Sequence, residues 1–272
     1  MEYIRQAIER AKEHPSQQSG AGLEAPRPPA SQGFAASRHR WEPSQEVELN
    51  SKHLQSQRIM AFDGQDVHSR SFDLLRTEVL RSMDLEGWKT VAVTSPTPSC
   101  GKTLTAMNLA LSMARQPERQ VFLADLDLRK PRVAESLGLE CREGVLGILE
   151  GRIAMGSATI RARVGASNLD VLPTSPTANS SDLVSSNEMK RLLQEISGDG
   201  SRIVILDLPP LLTGHDAVSI LPEVDCVLLV AAVGTSKVSE IEECKKYLQG
   251  TSLLRFVLNK APVSSNAYAA YY

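Results

Sequence analysis

The chain has 272 residues, 42% of them hydrophobic, and a formal net charge of -2. That length holds one sizeable core plus extra segments, and the near-neutral charge, without a basic stripe to neutralise phosphates, excludes a dedicated nucleic-acid binder. No hydrophobic run reaches membrane-spanning length and Met1-Glu2-Tyr3-Ile4-Arg5 lacks the apolar core of a signal peptide, so the expected location is the cytoplasm.

At the amino end, Ile4, Ala7, Ile8 and Ala11 recur on one side of a charged stretch, which predicts a short amphipathic helix within residues 1–14. From Pro15 the composition turns to Pro, Ser, Gln, Gly and Arg, with Pro26, Pro28, Pro29 and Pro43. Such a segment buries too little apolar surface to fold, so a disordered linker is expected over residues 15–60. A helix is expected over residues 66–83, with Phe72, Leu75, Val79 and Met83 on one face.

Strands and helices then alternate. The pattern predicts strands over residues 90–94, 121–124, 169–172, 203–206, 226–231 and 254–258, and helices over residues 103–115, 133–137, 144–149, 187–196 and 238–248. The strands are apolar runs without alternation, which indicates burial on both faces. The expected fold class is therefore α/β: a doubly wound, mostly parallel sheet flanked by helices over residues 61–262, with the ligand at the carboxyl edge of the sheet. Residues 263–272 are expected to be a flexible, tyrosine-rich tail.

Cys100, Cys141, Cys226 and Cys244 are widely spaced with no Cys-x-x-Cys pair, which argues for free thiols over zinc or a disulfide framework. The five histidines carry no metal-ligand spacing.

The chemistry concentrates in three places. Gly101-Lys102-Thr103 directly follows the apolar strand ending at Thr94, and Asp125, Asp127 and Asp207 fall at the ends of later strands. Strand, turn and helix in that order are the context of a phosphate-binding P-loop. Backbone N–H groups of the turn and first helical residues favour negative charge, Lys102 supplies a mobile cation to the β- and γ-phosphates, and the Thr103 hydroxyl takes a position on Mg²⁺. Asp125 and Asp207 add hard oxygen ligands, directly or through water. Pro96 stands where the standard loop has Gly, and Ser99 and Cys100 occupy positions where small residues are common. The nucleotide contacts expected from this pattern are Ser99, Cys100, Gly101, Lys102, Thr103 and Leu104.

From about Phe72 to Tyr272 the chain resembles the bacterial tyrosine kinases of capsule and exopolysaccharide synthesis, a P-loop fold. The likeness rests on Pro98-Ser99-Cys100-Gly101-Lys102-Thr103 as Walker A, Leu123-Ala124-Asp125-Leu126-Asp127-Leu128-Arg129 as the second acidic motif, and Asp207-Leu208-Pro209-Pro210 as Walker B. Asn108 in the P-loop helix, Asn259-Lys260 after the last strand, and the terminal cluster Tyr268, Tyr271 and Tyr272 are also similar. The resemblance implies an ATP- and Mg²⁺-dependent protein-tyrosine kinase that phosphorylates its own terminal tyrosines. It further implies Asn259 beside the adenine, Asp125 handling the phenolic proton and Asp127 orienting the site. The partners it implies are a membrane-embedded polysaccharide co-polymerase or activator with a cytoplasmic tail, a tyrosine phosphatase, and further copies of the chain, with the protein held peripherally at the inner face of the membrane. Arg70 to Arg76 departs from the family's Glu-x-x-Arg-x-x-Arg helix, where only Arg76 matches and Asp73 reverses a charge; Ser99 stands where family members mostly carry Gly, so its Cβ is expected to strain a position that needs a positive φ. Two alternatives share the superfamily. One is a ParA- or MinD-like ATPase switch, which normally carries an extra lysine early in the loop, where this chain has Pro96 and Thr97; the other is a catalytically weak nucleotide-binding regulatory subunit.

Overall fold

A computed structural model describes residues 41–198 and 200–261. The expected amino-terminal helix, the linker before residue 41 and the tyrosine tail lie outside the described residues.

Eight strands form one sheet: β1 Gln45–Glu48, β2 Thr90–Thr94, β3 Gln120–Asp125, β4 Ile160–Val164, β5 Ser167–Leu172, β6 Arg202–Asp207, β7 Cys226–Ala232 and β8 Ser252–Asn259. Their order across the sheet is β1-β4-β5-β3-β6-β2-β7-β8. Every neighbouring pair is parallel except β4 with β5, so β1 and β4 run against the other six. The helices are α1 Ser51–Ser56, α2 Ser69–Glu86, α3 Lys102–Ala114, α4 Val133–Leu137, α5 Gly144–Leu149, α6 Met155–Ala158, α7 Ser180–Val184, α8 Asn187–Ser197, α9 Asp216–Ile220 and α10 Val238–Tyr247. Among the described residues, no helix is long and apolar enough to cross a membrane.

The central strands read as continuous apolar runs because alternate residues enter two separate cores. Val91, Val93, Leu123, Ile205 and Leu228 pack with α2 and α3 on one face. Ala92, Phe122, Val204, Leu206 and Leu229 pack with α8, α9 and α10 on the other. The α2 helix begins three residues later than its apolar spacing suggests. Its face is also shifted, with Val79, Leu80 and Met83 buried while Phe72 and Leu75 stay half-buried.

Several elements correct the expectation. The linker does not extend to residue 60: residues 45–48 form β1, residues 51–56 form α1, and Leu49, Leu54 and Ile59 are buried. Their apolar residues have no regular period, so the segment is ordered by distant partners. Asn50 caps α1, accepting from the N–H groups of Lys52 and His53. Asn108, fully buried in α3, accepts from Met60 N at 2.9 Å and Ala61 N at 3.0 Å and donates to Arg58 O. Also unexpected are the short helices α6, α7 and α9, and the strand β4. Ile160, Ala162 and Val164 face inward while Arg161 pairs with Asp170 and Glu42, and Arg163 pairs with Glu46. A two-residue turn joins β4 to β5, with Gly165 at φ 55°, the left-handed geometry that suits such hairpins.

Replacing Asn108 by Ala strands two buried N–H donors, so the variant should lose about 2–4 kcal/mol of unfolding free energy. Cleavage within residues 49–61 should appear in limited proteolysis. Denaturant melts and digests indistinguishable from the parent would contradict this role.

Candidate functional site

The site is built where β2, β3 and β6 end side by side. Asp125 and Asp207 are register partners on adjacent parallel strands, so two carboxylates emerge at one level of the sheet edge. The turn after β2 runs through Ser99 at φ 65° and Gly101 at φ 91° before α3 begins at Lys102. The strain expected of a side chain at Ser99 is therefore present, because Cβ crowds the backbone in the left-handed region. Gly101 is obligatory: a Cβ there would lie 2.1 Å from the Asn259 amide nitrogen.

Lys102 brings a nearly buried ammonium into the carboxylates. Its Nζ lies 2.9 Å from Asp127 Oδ2, 3.4 Å from Asp207 Oδ1 and 3.1 Å from Thr103 Oγ1. Burial alone would lower its pKa, but the charges of Asp207 and Asp127 outweigh it and hold the pKa above the ordinary lysine value. Thr103 donates its hydroxyl to Asp207 Oδ2 at 2.7 Å. Lys102 is thus committed to carboxylates, and contact with a phosphate requires it to exchange an Asp127 oxygen for a phosphate oxygen.

Asp125 is placed differently from Asp127. It is fully buried, and its carboxylate accepts from Asp127 N at 3.2 Å and from Arg132 N and Val133 N at 3.0 Å each, fixing the start of α4. Burial and the neighbouring Asp207 raise its pKa to about 7, against the pull of the Val133 N–H and Lys102. Burial also raises Asp207, with Lys102 and Thr103 opposing. Asp127 instead lines a cavity of about 580 Å³ with Ser99, Lys102, Thr103, Arg129 and Pro210.

Other expected contacts divide. Cys100 is buried, its Sγ 3.3 Å from Ser236 Oγ, where it fills the loop interior. Leu104 packs its side chain against the core, leaving only its backbone for a ligand. Asn259 donates to Cys100 O at 3.0 Å and so reaches the loop. Sequence reasoning missed the arginine clasp. Arg129 Nε donates to Asp216 Oδ2 at 2.9 Å, and its NH2 donates to Asp216 Oδ1 at 3.0 Å and Ser181 Oγ at 2.7 Å. The clasp ties the loop after β3 to α7 and α9; Asp216 belongs to no motif, so only the arginine was visible in the sequence.

For magnesium, the donor set fits: a hydroxyl and a carboxylate already in contact at Thr103 and Asp207. Among the described residues, no group of three or more His, Cys, Asp and Glu side chains is arranged to hold a metal unaided. An ion shared with phosphate oxygens needs only one or two protein carboxylates.

No family model matches the chain. It is 32% identical over 226 residues to the tyrosine-protein kinase YwqD of Bacillus subtilis, covering 80% of this chain and 92% of that protein. The chain belongs to the bacterial tyrosine-protein kinase family. Among solved structures, the chimerical protein CapA2B2 is similar with a TM-score of 0.68 at 25% identity, over 82% of this chain and 95% of that one. The septum site-determining protein MinD of Pyrococcus horikoshii OT3, solved in complex with Mg-ADP, matches with a TM-score of 0.55 at 19% identity, over 65% of this chain and 72% of its own. That likeness is one of fold, a parallel P-loop sheet shared between kinase and ATPase.

An acid whose folded pKa of about 7 exceeds its ordinary value of 3.8 holds its proton more tightly when folded. Its contribution is present below the unfolded pKa and is lost as pH rises toward the folded one. In nucleotide-free protein with chelator, the Tm of Asp125→Asn should therefore gain on the parent as pH rises from about 4 to about 8. A Tm difference that stays flat across that window would contradict the buried ionisation.

Proposed function

We propose that the protein is an ATP-dependent protein-tyrosine kinase that phosphorylates its own carboxyl-terminal tyrosines and regulates polysaccharide synthesis or export. The observation that carries this reading is the convergence of Lys102, Thr103 and Asp127 on one cavity, with Asp207 buried behind them in contact with Lys102 and Thr103.

ATP would lie with its triphosphate along Ser99 to Thr103 and its adenine toward Asn259. Thr103 and Asp207 would hold Mg²⁺, with Asp125 behind them reaching it through water. When bound, the metal neutralises charge that develops on the transferring phosphoryl group. Lys102 moves from Asp127 to a phosphate oxygen and stabilises the same charge. A tyrosine hydroxyl, with an ordinary pKa of about 10, attacks poorly until its proton is accepted during the transfer. Asp125, buried behind the cavity, would take that proton through water, since burial and Asp207 hold it more basic than an ordinary carboxylate; Mg²⁺ beside it would draw that basicity back down. Asp127 parks and steers the lysine. The acceptors are Tyr268, Tyr271 and Tyr272, three of the five tyrosines in the chain.

The proposal extends to assembly. Transfer to a tail is simplest between copies of a homo-oligomer, with a membrane-embedded activator holding the kinase at the inner membrane face and a phosphatase resetting the tail. Asp73 bears on the geometry of that assembly. It accepts from Ser112 Oγ at 2.6 Å and pairs with Arg76 and Arg115, so the reversed charge on α2 is turned inward onto α3. A ring built through outward charges at this helix is therefore not the arrangement proposed. The rival ATPase switch is disfavoured by the loop itself, Pro96-Thr97-Pro98-Ser99-Cys100, which has no lysine before Gly101.

Incubation of the full chain with labelled ATP and Mg²⁺ should place phosphate on tail tyrosines. Lys102→Met should cut the rate by about 100-fold or more, and replacement of the three tail tyrosines by Phe should abolish self-labelling while leaving nucleotide binding intact. Free phosphate released without any labelled tyrosine would support the switch and overturn the kinase reading.

A further inference from the structure

Two residues with the same unusual backbone meet at the P-loop. Arg58, Ser99 and Lys260 are the non-glycine residues with positive φ among those described. Ser99 at 65° and Lys260 at 57° are joined directly, Lys260 Nζ donating to Ser99 O at 2.7 Å. The preceding residue makes the parallel contact, Asn259 Nδ2 donating to Cys100 O at 3.0 Å, while Lys260 N donates back to Asn259 Oδ1 at 2.8 Å. Consecutive side chains leaving β8 therefore grip consecutive carbonyls of the loop that leaves β2, 161 positions away for the lysine pair.

The consequence follows from peptide geometry. A trans peptide holds its C=O and the next N–H in opposite directions. With the carbonyls of Ser99 and Cys100 drawn to the β8 side, the N–H groups of Cys100 and Gly101 are turned the other way and are free to meet an anion. Left-handed backbone is unfavourable for a residue with Cβ, and such a conformation persists only where its surroundings over-determine it. A charge-assisted hydrogen bond on the carbonyl of that same residue supplies the determination.

We infer that Lys260 is a positioning residue for nucleotide binding: it acts on the ligand through the Ser99 carbonyl, holding the P-loop in its phosphate-receiving conformation. This rests on the nucleotide site proposed above. It gives Lys260 a task distinct from that of Lys102, which engages charge inside the cavity, whereas Lys260 is exposed and grips the loop from outside. It also explains how a loop with Ser where glycine is usual keeps a binding shape.

The test is calorimetry of the full chain with Mg·ADP and no other ligand. Lys260→Met should weaken binding about tenfold, the effect of one charge-assisted hydrogen bond, and Lys260→Arg should stay near the parent. In a Ser99→Gly background, where the left-handed conformation is free of strain, Lys260→Met should change affinity by no more than about twofold. In turnover assays KM for ATP should rise with kcat unchanged. Failure of the parent itself to bind Mg·ADP would remove the nucleotide site and this inference with it. Binding by Lys260→Met equal to the parent's would overturn the inference alone. An equal loss in both backgrounds would also overturn it, since the lysine would then touch the nucleotide directly.

Discussion

One buried ammonium organises this molecule's chemistry. Lys102 sits nearly out of water between Asp127 and Asp207, with Asp125 behind them. Removing a lone charge from water is costly, and a pair repays it only when the geometry is good and the remaining polar atoms are bonded. Here two carboxylates pair with one cation and a third lies behind them, so the cluster is rich in negative charge, which the backbone N–H groups on Asp125 partly offset. It is a poor stabilising device and a good receptor for a further cation. Under the proposed reading a divalent metal arriving with phosphate would relieve the imbalance, with Asp207 and Thr103 as the residues that would hold it and Lys102 left to engage the phosphate.

The rest of the fold places that cluster. Parallel β3 and β6 set Asp125 opposite Asp207 by register alone, and two dry cores fix the strands against sliding because a shift by one residue would exchange their faces. Around the rim, three clamps fasten loops to distant elements. Asp125 starts α4, the Arg129–Asp216 pair binds the loop after β3 to α9, and Lys260 with Asn259 binds the P-loop to the end of β8. Each clamp joins a segment that touches the cavity to one that does not, the arrangement by which a site on loops acquires the precision of the scaffold.

Much of this was legible in the residues. Strand β2 and helices α4 and α5 fall at the expected bounds, since apolar runs punctuated by Gly and Asp leave little freedom. The grouping of Lys102, Thr103 and the three aspartates follows once the strands are parallel. What escaped had non-local causes. Strand β1 is a polar stretch held by β4, and the segment after helix α1 is held by Asn108; nothing near them in sequence announces those partners. The β4 strand did carry a signal, the alternation Ile160-Arg161-Ala162-Arg163-Val164, hidden because its arginines read as a solvated surface. Asp216 and Lys260 act through isolated long-range side-chain contacts, which leave no period to read. The lysine's engagement with Asp127 was also beyond sequence, because a P-loop motif specifies the phosphate partner and not where the cation waits without one.

The most direct test of the central claim is a crystal structure of the protein with Mg·ADP. The account predicts the metal on Thr103 Oγ1 and the Asp207 carboxylate, with Lys102 Nζ withdrawn from Asp127 and bonded to a phosphate oxygen. A bound nucleotide that left the Lys102–Asp127 pair closed, or that lay away from the turn Ser99 to Thr103, would contradict it.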